Sequence, residues 1–213
     1  MDAVIDSRVA APRLKTLGET AYVRTLEAMR AYTAQRDESS ADELWLTSHP
    51  PVYTLGLGAN AAHGPREDRG IPVLLVERGG QVTYHGPGQV VLYTLVDLPR
   101  RGLKVREFVR LLERAVIMLL AEHGVPATCR EGAPGVYSGE AKVAALGLRV
   151  SRGRTFHGLA LNVDMDLSPF AAIDPCGYPG LAVTQTSWLG ITASPAALGA
   201  RLARLVTEAL GRA

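Results

Sequence analysis

Apolar positions recurring every three or four residues predict three helices. Between residues 19 and 35, Tyr22, Leu26, Met29 and Tyr32 share one face, and the polar stretch 37–42 ends the run. This face is assigned to packing. Residues 105–123 place Phe108, Leu112, Ala115 and Leu119 inward, with Gly124 as the C-terminal stop. A last helix opens at Ser194-Pro195, a hydroxyl cap followed by a residue with φ already helical, and carries Leu198, Leu202, Leu205, Val206 and Leu210 on one face.

Shorter β-branched and aromatic runs predict strands at 44–47, 52–55, 73–76 and 89–98, the last stopped by Pro99. Residues 56–70 read as a glycine-rich loop, and 78–89 as a second one between strands. The second half returns to strands at 127–130, 135–137, 141–150 and 156–163, the last two joined as a hairpin through Ser151-Arg152-Gly153-Arg154. Strands and helices do not alternate, which disfavours a doubly wound parallel sheet. The expectation is a single α+β domain over 1–213, with a mixed, mainly antiparallel sheet and flanking helices gathered on one side.

Composition narrows the function classes. The chain has 213 residues, 47% hydrophobic and 21% charged, as in an ordinary soluble globular protein. A net charge of +2 argues against nucleic-acid binding; one basic cluster, Arg100, Arg101, Lys104, Arg106, Arg110 and Arg114, reads as a solvated helix face. Two cysteines without a Cys-x-x-Cys pair build neither a disulfide framework nor a zinc site, so free thiols in a reducing cytoplasm and no metal are expected. Residues 1–10 lack a basic start followed by an apolar stretch, and the longest apolar run, 115–121, is far too short to span a membrane.

Against this background two residues stand out. Cys176 lies in Asp174-Pro175-Cys176-Gly177-Tyr178-Pro179-Gly180, where proline and glycine exclude a regular element and present the thiol on a turn. A thiolate is the reactive form and needs a nearby cation to form at neutral pH. Of the 23 basic residues only Lys15, Lys104 and Lys142 are lysines, and an ammonium, unlike a guanidinium, can give up its proton when desolvated. Lys142 is the candidate partner. Cys129, between Thr128 and Arg130 in a strand, reads as inert filler.

The 78–89 loop packs glycines, a basic residue, an aromatic and a histidine together, which suggests a close backbone approach to a ligand. It lacks both the Gly-Lys-Ser/Thr ending of a nucleotide loop and a Gly-x-Gly-x-x-Gly pattern. The plainer alternative is a hairpin corner with a hydrogen-bonded His85. Small residues in Ala145-Leu146-Gly147 and Gly158-Leu159-Ala160 either open a groove for an alkyl chain, worth about 0.8 kcal/mol per buried methylene, or admit close packing. His157 and Asn162 read as hydrogen-bonding core polars.

Taken together, Arg78-Gly79-Gly80, Thr83-Tyr84-His85, Gly88-Gln89 and Tyr93, followed by Lys142 and Pro175-Cys176-Gly177, resemble the octanoyltransferases of lipoic-acid assembly. The resemblance runs from His49-Pro50-Pro51-Val52-Tyr53-Thr54-Leu55-Gly56 to Cys176 without a departure at the motif positions. It implies the α+β catalytic domain shared with biotin and lipoate ligases. It also implies that Cys176 takes the acyl group as a thioester, and that Lys142 lowers the thiol pKa and shuttles its proton. The substrate site would be lined by Arg78, Gly79, Gly80, Gln81, Val82, Thr83, Tyr84 and His85, with Ala145, Leu146, Gly147, Gly158, Leu159 and Ala160.

The implied partners are an acyl carrier protein as donor and the lipoyl domains of 2-oxoacid dehydrogenases and the glycine-cleavage system as acceptors, acted on by a cytoplasmic monomer. No cofactor and no ATP are expected, because exchanging one thioester for another and then forming an amide runs downhill. Three alternatives stay open. An ATP-dependent lipoate or biotin ligase on the same fold would need nucleotide and no cysteine. A cysteine amidase would depend on His85 or His157 as base. A non-enzymatic acyl-binding protein would hold octanoyl without a covalent adduct. The basic cluster at 100–114 could also steer an acidic carrier, which charge reversal at Arg106 and Arg110 would expose as a changed salt dependence.

Overall fold

The computed structural model describes residues 9–212, and the side chains of Ala61 and Cys176 lie outside the described set. The reading of residues 1–10 as free of an export signal falls, for 1–8, outside it as well.

Among the described residues ten strands form two sheets. Strand β1 (Arg13–Glu19), which the sequence pattern did not mark, enters the large sheet parallel to β2 (Glu43–Ser48), and helix α1 (Tyr22–Gln35) makes the crossover. Every other pairing in that sheet is antiparallel. Its strand order is β1, β2, β6 (Gln89–Leu95), β10 (Arg154–Asn162), β9 (Ala141–Ser151), β8 (Ala133–Ser138), β7 (Thr128–Arg130). A small sheet carries β3 (Val52–Leu55) between β4 (Val73–Leu75) and β5 (Val82–His85). Strand β5 lies where the sequence reading placed only a loop; its four residues are all buried, so no alternation of apolar and polar side chains betrays it.

Alternation in the central strands separates two cores. Leu44, Leu46, Val90, Leu92, Leu159 and Leu161 turn to α2 (Val105–Ala121) and α3 (Pro195–Leu210), meeting Phe108, Leu112, Leu119, Leu202 and Val206. Trp45, Val91, Tyr93, Leu95, Phe156 and Ala160 turn the other way, to Tyr22, Leu26 and Met29 of α1. Helices therefore cover both faces, and the expectation of one-sided helices is corrected: the apolar stripe of α1 needs the face opposite to α2 and α3. In α2 the Lys104 N–H donates to Glu107 Oε2 at 2.8 Å, and in α3 Ser194 Oγ accepts from the Ala197 N–H at 3.3 Å, so these two helix starts have a side-chain partner for an orphan amide.

The β9–β10 hairpin turns through Arg152 (φ 50°) and Gly153 (φ 78°), a two-residue turn with both φ positive. A side chain at Gly153 would also meet Pro99 Cγ at 2.7 Å. At this end of the sheet the fully buried Asp42 accepts from Arg36 Nη2 (2.7 Å), Arg100 Nη2 (2.6 Å) and Arg101 Nε (2.6 Å). Two members of the supposed solvated cluster are thus structural: Arg101 is buried and Arg100 is tied to the same carboxylate. Cys129 is exposed on edge strand β7, which corrects its reading as filler.

A third core joins the small sheet to the segment leading to Cys176: Tyr53, Val82 and Tyr84 pack on Met165, Leu167, Phe170 and Ile173, and Tyr53 Oη donates to Pro169 O at 2.9 Å. That packing brings the Cys176 turn against β5.

Candidate active site

Where β5 lies over β6, β9 and β10 a small cavity of about 50 Å³ remains, space for a few water-sized groups. Its floor is set by cross-strand pairs, Ala145 opposite Ala160 and Gly147 opposite Gly158. The groove and close-packing readings divide by residue. A Cβ on Gly147 would lie 2.9 Å from Gly79 O, and one on Gly158 only 2.1 Å from Leu92 O, so the glycines admit neighbouring backbone, while the two alanines leave the space above them.

The Arg78-Gly79-Gly80 loop roofs this space. Arg78 Nη2 donates to Thr54 O (2.7 Å) and Thr54 Oγ1 (2.9 Å), Nη1 to Gly79 O (3.0 Å), and the Gly79 N–H to Leu148 O (2.8 Å), which fastens the loop to β3 and β9. Of the fourteen residues expected to line the substrate site, all but Gly79 and Tyr84 border the cavity. Gly79 is taken up by the Leu148 bond. Tyr84 alternates with Thr83 and His85 along β5, so its ring faces Tyr53 and Phe170 instead. Tyr22, Val91, Tyr93 and His157 border the cavity too. Tyr22 carries the same three-to-four spacing as the packing residues after it, so nothing in the sequence separates it from them.

One wall is polar, buried and neutral. His49 Nδ1 faces Thr20 O at 2.7 Å and must donate, so its Nε2 accepts from the Tyr93 hydroxyl at 2.7 Å. His85 stacks on Tyr22 with ring centroids 5.6 Å apart. Burial, reinforced by the neighbouring His49, pulls the His85 pKa down to about 3. Burial likewise lowers His157 to about 4, depresses His49, and pushes Tyr22 up to about 12. His157 departs from the expected hydrogen-bonded core polar: it is buried in the left-handed region at φ 62°, and both ring nitrogens lack a hydrogen-bond partner among the described residues. Burial thus disfavours, on both His85 and His157, the imidazolium that a general base has to form.

Lys142 is 3% exposed near the start of β9, with Nζ donating to Pro134 O at 3.0 Å and lying 5.0 Å from the centre of the Tyr137 ring. Gly135, at φ 138°, makes room for it: a Cβ there would meet Lys142 Cε at 3.0 Å and Nζ at 3.1 Å. The Lys142 main chain bridges the segment after the Cys176 turn, its N–H donating to Ala182 O (2.8 Å) and its O accepting from the Thr184 N–H (2.9 Å).

Cys176 sits in a single 3₁₀ turn, Pro175–Gly177, and its side chain, with the expected contact to Lys142, lies outside the described residues. The turn is anchored on its N-terminal side by Asp174, whose carboxylate accepts from Arg66 Nη1 (2.7 Å) and pairs with His63 Nδ1 (3.1 Å); Arg66 and then His63 hold that carboxyl below its usual pKa. Gly177, at φ 75°, packs on the Gln81 side chain, which borders the cavity; a Cβ there would be 3.1 Å from Gln81 Cδ. The turn therefore reaches the cavity wall. The arginines of α2 lie on the opposite face of the large sheet, so they do not flank this turn. Among the described residues no group of three or more His, Cys, Asp or Glu is disposed to hold a metal, and no helix is long and apolar enough to cross a membrane.

The site is thus a small cavity between the two sheets, with the Gly177 end of the Cys176 turn packed on its lining residue Gln81. The Lipoyl protein ligase A/B catalytic domain family matches residues 21–196. Similar folds include a bipartite lipoate protein ligase from Thermoplasma acidophilum, at TM-score 0.73 and 18% identity over 94% of this chain and 84% of that one. A biotin protein ligase from Aquifex aeolicus follows at TM-score 0.56 and 12% identity over 95% of this chain and 71% of that one. In sequence the chain is 58% identical to an octanoyltransferase of Thiobacillus denitrificans over 94% of its length and 89% of that protein. It is 54% identical to an octanoyltransferase of Dechloromonas aromatica over 93% and 97%. The chain belongs to the lipoyl protein ligase A/B catalytic-domain family and, within it, to the octanoyltransferases, which are acyltransferases.

Proposed function

We propose that this chain transfers an octanoyl group from octanoyl-acyl carrier protein to a lysine of a lipoyl domain through a thioester on Cys176, in the cytoplasm. The observation that carries the reading is the position of the Cys176 turn: Gly177 packs on the cavity residue Gln81, and the segment following the turn is bonded to the main chain of Lys142. An acyl chain lying on Ala145 and Ala160 would have its carbonyl near that junction.

In the first step the Lys142 amine takes the Cys176 thiol proton, the sulfur attacks the donor carbonyl, and the phosphopantetheine thiolate leaves with the proton from Lys142. In the second, the amine of the lipoyl-domain lysine attacks the Cys176 thioester, a C–N bond forms, the C–S bond breaks, and the proton lost by the amine returns through Lys142 to the sulfur. Each step passes through an oxyanion. No nucleotide or other cofactor enters, since the first exchange trades one thioester for another at little cost and the second runs downhill to the amide. Mixing the protein with octanoyl-acyl carrier protein without ATP should add one octanoyl mass to the native chain and none to Cys176→Ser or Lys142→Ala. Acylation that appears only when ATP and free octanoate are supplied would replace this reading with that of a ligase.

A further inference from the structure

We propose that Asn162 is a positioning residue for the acyl-transfer step, holding the segment that follows Cys176 in register with Lys142; the proposal rests on the cysteine–lysine reading above. Asn162 ends β10 and lies opposite Gln89 of β6, and both are buried. Asn162 Nδ2 donates to Thr184 O at 3.0 Å, and Thr184 passes the connection on by donating its own N–H to Lys142 O at 2.9 Å.

The direction of these bonds is forced. Thr184 O and Tyr84 O are carbonyls and can only accept, so Asn162 Nδ2 and Gln89 Nε2 are the donors at the two ends. Asn162 Oδ1 then accepts from Gln89 Nε2 at 2.9 Å, and Gln89 Oε1 accepts from His85 Nδ1 at 2.7 Å. Reversing either amide would oppose two carbonyl oxygens or two amino groups between buried side chains. A single buried chain thus runs from the cavity wall at His85 through Gln89 and Asn162 to the main chain beside Lys142. Gln185, next along the segment, accepts from the Met165 N–H at 2.7 Å and stops it sliding further. Without the Asn162 amide the segment keeps its main-chain bonds to Lys142 but loses the side-chain bond that ties it to the sheet centre, and the Cys176 turn gains freedom relative to the lysine.

The test uses the full chain carrying Asn162→Ala, Asn162→Asp or Gln89→Glu. Asn162→Asp preserves size and the acceptor for Gln89 but lacks the donor to Thr184 O. Two measurements are made: the pH profile of Cys176 alkylation by iodoacetamide, and single-turnover octanoylation from octanoyl-pantetheine. Both Asn162 variants should slow octanoylation at saturating donor by roughly 10- to 100-fold, leave the half-saturating donor concentration within about two-fold, and move the alkylation profile to higher pH. Wild-type profiles and rates in folded variants, whatever happens to the melting temperature, would overturn the proposal. If Asn162→Ala does not fold, Gln89→Glu gives the same reading, because it removes the donor that orients Asn162. Lys142→Ala separates the two levels: if it leaves the alkylation profile unmoved, the cysteine–lysine reading fails; if it moves the profile and the Asn162 variants do not, only the positioning role fails.

Discussion

Lowering the pH from 7 to 5 should destabilise this protein before any carboxylate matters. His85 and His157 titrate at about 3 and about 4 in the folded chain because burial disfavours their charged forms, and near 6.5 once exposed by unfolding. Between those values the unfolded chain binds more protons than the folded one, so stability rises with pH and is complete only above about pH 7. At pH 5 both folded imidazoles remain neutral, so the loss depends on the unfolded pKa alone: about 2 kcal/mol for each histidine, about 4 kcal/mol for the pair. His49, shifted the same way by burial, adds to it. A total stability of roughly 5–15 kcal/mol makes this a large fraction. Urea unfolding at pH 7, 6 and 5 measures it, and the curve for His157→Gln should be flatter by about 2 kcal/mol over that range. A pH-independent midpoint between 7 and 5, or a slope unchanged in the variant, would refute the reasoning that these rings are buried uncharged.

Three further outcomes follow from particular contacts. Asp42→Asn leaves Arg36 and Arg101 buried without their counter-charge and should cost about 3–5 kcal/mol in urea unfolding, whereas Glu140→Ala, which removes only an exposed partner of Arg130, should stay within about 0.5 kcal/mol. Ala160→Leu should fill the cavity floor and reduce octanoyl adduct formation by more than roughly ten-fold while a butanoyl donor loses less, as intact-mass time courses with the two donors would display; equal losses would mean the chain does not lie there. Gly158→Ala sets a methyl 2.1 Å from Leu92 O, backbone that cannot yield, and should sharply reduce soluble, folded protein judged by circular dichroism.

Much of this molecule was legible along the chain. Periodic apolar positions marked all three helices, because a helix buries one stripe and the stripe recurs in sequence. The β9–β10 hairpin followed from Arg152-Gly153, since a tight turn with positive φ is a local demand. Cys176, Lys142 and the 78–85 loop stood out as unusual residue types in unusual settings. What sequence could not decide was which side of the sheet each stripe would meet, and so α1 crossed to the face opposite α2 and α3. Strand β1 was invisible because an exposed edge strand carries no buried face, and β5 because both of its faces are covered.

The site divides along the same line. Residue chemistry is written locally, whereas burial, tautomer and pKa are properties of the surroundings. Only the fold turns Tyr84 away from the cavity, leaves His157 without a hydrogen-bond partner among the described residues and links His85 through Gln89 and Asn162 to the Lys142 strand. Those contacts join residues far apart in the chain, and no period or motif encodes them; they come into being when packing removes the water that would otherwise have satisfied each group separately.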